Sequence, residues 1–271
     1  MALHIDVEAV IAQKSPKWHR RIPKWVFRWL AKTIHQDEMN EFLLHHSDEP
    51  PIDFVRNVIQ MLGAEVEVKN TDNLPKDGRY IVVSNHPLGG LDGLFYVYVL
   101  SQFRSDIKFP VNDLLMNVKP LESLFIPINK HGGLSHKAID DLNSTFASDD
   151  AIVYFPAGLC SRKFKDGIKD LEWKSTIVHK AQQFQRDIIP AYFDGKNSNF
   201  FYRLANIRKK LGIRFNIEML YLPDEMYKQK GKKFTITFGR PIPYQTFTKE
   251  KSRSEWTNWL REQTYNLSKN D

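Results

Sequence analysis

The sequence is short of cysteine, of long apolar runs and, near its start, of acid, and each shortage excludes something. One cysteine, Cys160, among 271 residues rules out an intramolecular disulfide framework and any multi-cysteine zinc site. Leu94 to Leu100 is among the longest apolar runs, far below the ~18 residues that span a bilayer, so no transmembrane helix is expected. The start, Met1 to Asp6, has no basic flank leading into an apolar signal core. With so little cysteine, this points to a reducing cytosol as the working compartment. No zinc finger, aromatic RNA-binding motif or helix-turn-helix signature accompanies the net charge of +7. That disfavours nucleic acid and leaves an anionic membrane surface or an acidic carrier protein as the partner. With 42% apolar residues, the chain can bury one sizeable core.

The charge is concentrated. Lys14, Lys17, Arg20, Arg21, Lys24, Arg28 and Lys32 have no acid among them, so this stretch alone carries a charge equal to the whole net excess. Within it Trp18, Ile22, Trp25, Val26, Trp29 and Leu30 recur at three-, four- and one-residue steps, which gathers them on one helical face. Pro16 suits a helix start, whereas Pro23 should kink the helix or split it. A basic helix with tryptophan on its apolar face fits a monotopic membrane helix, in which indole sits at headgroup depth and lysine stems snorkel upward. Trp18, Arg21, Trp25, Arg28 and Trp29 are the expected membrane contacts. The other reading packs these tryptophans on the rest of the protein.

The remainder alternates strands with helices. Asp37 to His46 and Ile52 to Leu62 are helical in period, so residues 1–64 are expected to form a helical element and 65–271 an α/β domain. Strands are expected at Glu65 to Val68, Tyr80 to Ser84, Ile107 to Val111, Leu124 to Ile128, Ala151 to Phe155, Ile188 to Phe193, Phe215 to Tyr221 and Phe234 to Phe238. Helices are expected at Gly93 to Phe103, His136 to Ala147 and Ser175 to Gln185. Strands joined by helix-length crossovers predict a largely parallel central sheet flanked by helices, with ligands at the carboxyl ends of the strands.

The chemistry gathers at those ends. After the strand Ile81-Val82-Val83-Ser84 come Asn85-His86, a glycine turn at Gly89-Gly90, and Asp92 at a helix start. A carboxylate so placed can orient an imidazole and raise its basicity, leaving the other ring nitrogen to take a proton from an attacking hydroxyl. The structural alternative is a strand-end histidine and an ordinary helix-capping aspartate. Phe155-Pro156-Ala157-Gly158-Leu159-Cys160-Ser161-Arg162 ends a later strand, where backbone amides and Arg162 are suited to receive an oxyanion or an anionic substrate group.

These residues resemble the glycerolipid, or lysophospholipid, acyltransferases. Asn85-His86 with Asp92 is similar to that family's catalytic block, Leu124-Phe125-Ile126-Pro127 to its second, Phe155-Pro156-Ala157-Gly158 to its third and Ile188-Ile189-Pro190-Ala191 to its fourth, in the family's order. The resemblance implies transfer of a fatty acyl group from a thioester, of acyl carrier protein or coenzyme A, to a lysolipid, without metal or bound cofactor. It makes His86 the general base and Asp92 its orienter, with no acyl-enzyme. There are departures. Five residues separate His86 from Asp92 where the family has four, and the Gly-Gly pair is able to absorb the extra one. The arginine that holds the acceptor phosphate falls on Ile128, the third block's glutamate on Ala157 and its arginine on Cys160. Lys130, His131 and Arg162 are the candidates to replace that grip. The pattern is similar to a hemolysin-like branch that includes O-acyltransferases making ornithine and glycine lipids in bacteria, whose acceptor carries a carboxylate in place of a phosphomonoester. Expected substrate contacts are Asn85, Gly89, Gly90, Phe125, Lys130, His131, Phe155, Pro156, Gly158, Ser161 and Arg162, on a peripheral protein at the cytoplasmic face of a membrane.

Other residues suggest chemistry less strongly. Cys160 lacks a basic partner in sequence and Ser84 lacks a Gly-x-Ser-x-Gly elbow, so neither is the expected nucleophile. His45, His46, His131 and His136 have no matching carboxylate or cysteine ligands and are expected at the surface. Trp173 and Lys174 either line an acyl channel or cover the sheet. The basic runs Arg208-Lys209-Lys210 and Lys228 to Lys233 are expected as solvated loops, and Trp256, Trp259 and Leu260 as a short amphipathic helix. Competing readings of the whole are a catalytically idle lipid-binding scaffold and a lipid hydrolase.

Overall fold

The computed structural model describes residues 4–111, 118–127 and 136–269; the side chains of Lys14, Trp18, Pro127 and residues 136–138 also lie outside the description. Helices come first. Asp6 caps α1 (Val7–Lys14) by accepting from the Ala9 amide at 3.0 Å, and α2 (Pro16–His19) begins on its proline. Pro23 separates α2 from α3 (Lys24–Thr33), so the chain is split there rather than kinked. On α3, Phe27 and Leu30 are buried while Trp25 and Trp29 face outward, 63% and 40% exposed. Leu30 therefore leaves the tryptophan face to which its spacing assigned it, because Phe27 and Leu30 together form the side that packs. Then come α4 (Gln36–His46) and α5 (Pro51–Leu62), whose Phe54, Val55, Val58, Ile59 and Leu62 enter the main core.

The α/β part runs β1 (Glu65–Lys69), β2 (Tyr80–Ser84), α6 (Gly90–Leu100), β3 (Ile107–Val111), β4 (Phe125–Pro127), α7 (His136–Ala147) and β5 (Ala151–Tyr154). It continues through the hairpin β6 (Arg162–Phe164) and β7 (Gly167–Lys169), then α8 (Thr176–Phe184), β8 (Asp187–Asp194), α9 (Asn199–Lys210), α10 (Leu222–Tyr227), β9 (Lys233–Phe238) and α11 (Arg253–Asn266). Among the described residues the main sheet has the order β1-β9-β8-β2-β5-β3-β4. Every neighbouring pair is parallel except β8 with β9, so β1 and β9 run against the other strands. The central strands are buried throughout, as parallel strands covered on both faces must be. Val82 packs on one face with Phe95, Ile189 and Ile236, while Ile81 and Val83 pack on the other with Ile152, Ile177 and Leu260. Trp256 and Leu260 of α11 thus serve the core.

Two expectations are corrected. Residues 217–221 form a 3₁₀ turn leading into α10 rather than a strand. Their alternation would put Glu218 outward in a strand, but the fold buries Glu218 between Arg162 and Arg208, at 2.8 Å from each. Arg208-Lys209-Lys210 is the last turn of α9 rather than a loop, where cations meet the negative end of the helix dipole. Lys228 to Lys232 do form the expected turn, between α10 and β9, with Lys228 paired to Asp224 and Glu225.

At the opposite end of the sheet from the site, Arg186 is fully buried. Its guanidinium donates to the carbonyls of Phe146 at 2.7 Å, Asp150 at 2.6 Å and Thr145 at 3.2 Å, and to that of Ser148, satisfying the end of α7 and the approach to β5. Burial draws its pKa down to about 10, which leaves it charged at neutral pH. Arg186→Met should therefore strand these carbonyls and cost about 3 kcal/mol of stability. Urea unfolding tests this, and an unchanged midpoint would refute the role.

Candidate active site

The site begins where β2 ends. Ser84 is buried with its hydroxyl 2.7 Å from that of Tyr96. The Asn85 amide turns into the sheet, donating to the Phe193 carbonyl at 2.9 Å and accepting from the Phe193 amide at 2.8 Å. It extends the β2 to β8 ladder by one side-chain rung after the backbone has departed. Asn85 is thus spent on holding the loop rather than turned toward a ligand.

His86 follows, with Nδ1 2.8 Å from Asp92 Oδ2. The distance is that of a charge-assisted contact, although the N–H is not aimed squarely at the oxygen. The imidazole is partly open to solvent, and Asp92 is fully buried. Asp92 also accepts from the amides of Leu88 at 3.0 Å and Gly89 at 3.3 Å, at the amino end of α6. Asp92 is not the N-cap, which is Gly89, but the third residue of α6, and its carboxylate reaches back to the Gly89 amide while also meeting the histidine. Burial pushes its pKa up, while His86 and the Leu88 amide pull against that. The turn between them needs Gly89, whose φ of +85° and ψ of −133° suit only glycine. A Cβ there would also stand 3.0 Å from Leu222 Cδ1.

The wall opposite comes from the end of β5. Phe155 stacks on the His86 ring at 4.3 Å between centroids, fixing the imidazole plane. Pro156 is buried and its carbonyl accepts from the Lys174 amide, and Gly158 turns with φ +63°. The Ser161 amide donates to the His86 carbonyl at 2.7 Å. Gly90 opens α6. Phe125, by contrast, packs edge-on against Phe109 in the main core. Lys130 and His131 lie outside the described residues. Arg162 is buried and committed, donating to the Cys160 carbonyl at 2.6 Å and to Glu218. It therefore presents no open charge to an anionic substrate.

One residue was not foreseen. Asp170 is buried and accepts from the His86 amide at 3.1 Å, the Ser161 hydroxyl at 2.6 Å and Trp173 Nε1 at 2.9 Å. Its own amide donates to the Tyr265 hydroxyl at 2.8 Å, and its carbonyl accepts from Arg261. It joins the two loops of the site to each other and to α11. In sequence it lies inside a mixed-charge stretch, and nothing local separates it from its neighbours. Trp173 is buried against the sheet, which resolves its two readings in favour of covering. Among the described residues no group of three or more His, Cys, Asp or Glu could hold a metal ion.

A family model described as "Acyltransferase" matches residues 9–271. The chain belongs to this acyltransferase family. It is 48% identical to a lyso-glycine lipid O-acyltransferase of Bacteroides thetaiotaomicron over 264 residues, 97% of each chain. It is 47% identical to a lyso-glycine lipid O-acyltransferase of Phocaeicola vulgatus, again over 264 residues, covering 97% of this chain and 95% of that one. Among solved structures it resembles the 1-acyl-sn-glycerophosphate acyltransferase PlsC of Thermotoga maritima, with a TM-score of 0.50 at 15% identity over 89% of this chain and 94% of that one. That likeness carries the α/β fold: a mostly parallel sheet flanked by helices.

The remaining nucleophile candidate is inert. Cys160 is fully buried, and burial pushes its thiol up to about 11, so it is a neutral thiol at pH 7. Ellman's reagent should react with the protein only after unfolding, and Cys160→Ala should keep its acyl-transfer rate. Rapid native labelling, or a loss beyond about tenfold in that variant, would restore the cysteine as a nucleophile.

Proposed function

We propose that this chain transfers a fatty acyl group from an acyl thioester to the hydroxyl of a lyso-glycine lipid or a closely related lyso-aminolipid. The observation that carries the reading is the contact of His86 with buried Asp92 at the carboxyl end of β2, with the imidazole still partly open to solvent. His86 Nε2 takes the proton of the acceptor hydroxyl as its oxygen attacks the thioester carbonyl. The carbon–sulfur bond then breaks, and the imidazolium returns the proton to the departing thiolate. Asp92 orients the ring and stabilises its charged form, and the reaction as written consumes no cofactor. The names of the two curated relatives support the acceptor. So does the sequence, which has Ile128 where the resembling family keeps its phosphate-binding arginine.

The donor is an acyl thioester of acyl carrier protein or coenzyme A. The chain acts as a peripheral protein at the cytoplasmic face, with Arg21, Trp25, Arg28 and Trp29 against the bilayer; Trp18, proposed beside them, has a side chain outside the description. Arg21, Trp25, Arg28 and Trp29 are all exposed, and among the described residues no helix is long and apolar enough to cross a membrane.

Mass spectrometry of products from acyl-carrier-protein and coenzyme A thioesters, offered with lyso-glycine lipid, lyso-ornithine lipid and lysophosphatidate, tests the reaction. Acylated lyso-aminolipid is expected, with turnover lowered about a thousandfold in His86→Ala and Asp92→Asn. Faster acylation of lysophosphatidate would overturn the acceptor, and full activity in His86→Ala would overturn the mechanism. The pH profile gives a separate check. The ionised form of Asp92 is the working one, its pKa is raised by burial, and the nearby charge of Asp170 raises it further. Asp170→Asn removes a negative charge beside the His86–Asp92 pair, so the pair takes up its proton at lower pH and the acid limb of kcat should move to lower pH. A limb that stays in place, or moves upward, contradicts this electrostatic link.

A further inference from the structure

We infer that α9 and the turn after it complete, with α3, a single docking face for an anionic lipid bilayer beside the catalytic loop. The identity of the lipid drawn from that bilayer rests on the reading above; the face itself does not.

The observation is a helix that is apolar on both sides. α9 buries Phe201, Tyr202 and Ala205. Phe200, Ile207 and Leu211, at steps of seven and four on the opposite side, are 46%, 48% and 69% exposed. Phe215, in the following turn, is 64% exposed. A surface helix of a soluble protein normally keeps that outer stripe polar. The same stretch is strongly basic: from Gly195 to Ile217 there are Lys196, Arg203, Arg208, Lys209, Lys210 and Arg214 and no acid. Only Arg208 of these is engaged by a carboxylate among the described residues, that of Glu218.

This stripe joins the α3 surface. Trp29 of α3 and Phe200 of α9 both meet the Tyr221 ring edge-on, at 6.0 and 5.0 Å between centroids. The joint also borders the site. Leu222, next to Tyr221, lies against Gly89, and Asn197, just before α9, donates from its amide nitrogen to the Pro87 carbonyl at 3.1 Å. A bilayer on this face would thus place the loop carrying His86 at the lipid surface, where a lysolipid can move sideways to it without crossing water.

The mixture of groups favours lipid over an acidic carrier protein. Apolar side chains that project between arginines and lysines fit insertion below a layer of anionic headgroups, with the cationic heads at headgroup depth. Docking to an acidic protein calls for the charges and has no use for so many protruding apolar groups.

Because the native cysteine is buried, an introduced surface cysteine can be labelled selectively. Leu211→Cys, Phe215→Cys and Trp25→Cys, each carrying nitrobenzoxadiazole, would be mixed with phosphatidylcholine vesicles with and without phosphatidylglycerol, in the absence of substrate. The dye should shift to the blue and brighten at all three positions, more strongly with phosphatidylglycerol. The triple variant Phe200→Ser, Ile207→Ser, Leu211→Ser should partition to the anionic vesicles roughly tenfold more weakly, with α3 intact and turnover on lyso-glycine lipid in detergent micelles retained. A response at position 25 with silence at 211 and 215, unchanged partition of the triple variant, or a dye response to acyl carrier protein in place of vesicles would each overturn the inference. The partition needs no turnover, so failure of the acyl-transfer assay would sink the reading of the reaction and leave this result standing, and the reverse.

Discussion

Burying a carboxylate beside a histidine is the constraint around which this protein is arranged. Asp92 has no access to water, and a lone anion there would be costly or would take up a proton. Its surroundings answer that cost with the amides at the start of α6 and with the His86 ring. Those amides are available only because the chain turns at Gly89 in a conformation closed to other residues, with Leu222 filling the space where a side chain would stand. The extra residue between histidine and aspartate is thus absorbed by local geometry, and the pair still meets.

The same need to satisfy buried charge recurs and ties the site to the body of the fold. Asp170 gathers the backbone of His86, the hydroxyl of Ser161 and the indole of Trp173 on one carboxylate, which ties the β2 and β5 loops together. Glu218 does the corresponding work for Arg162 and Arg208, and in doing so bends residues 217–221 into a turn and carries α10 over the glycine loop. Asn85 imitates a strand rung against Phe193. Each of these polar groups is fully used within the protein, which separates them from His86, whose ring keeps an open edge.

That division bears on how an anionic acceptor is held. With Arg162 neutralised by Glu218, the family's phosphate grip has no substitute among the described residues of the loop after β5. This agrees with the proposed lyso-aminolipid acceptor, whose carboxylate carries less charge than a phosphomonoester. The surface carries the complementary feature, in which the positive charge sits on α3 and α9, outside the loop and around exposed apolar side chains. On the proposed reading, this charge is placed to meet a surface more than to grip a single group.

Most of the framework was legible from local patterns. Buried β-rich runs such as Tyr80 to Ser84, helix-length crossovers and the break at Pro23 each depend on neighbouring residues, and each reads correctly along the chain. What misled was also local: Phe215 to Tyr221 alternates like a strand, and Trp25, Trp29 and Leu30 share a helical spacing. The first yields to a buried ion pair with partners on other elements, the second to packing on the Phe27 side. Asp170 was invisible because its partners lie up to 95 residues away, at Tyr265. By itself, then, the sequence determined most strands of the central sheet and several of the helices between them, the nearness of His86 to Asp92 and the basic character of the amino-terminal helices, since these follow from period, turn chemistry and charge. Only the tertiary structure decided that Arg162 is spent on Glu218, that Asp170 braces the site and that α9 turns apolar side chains outward. Those outcomes depend on which distant groups share a buried space, and no local pattern encodes that.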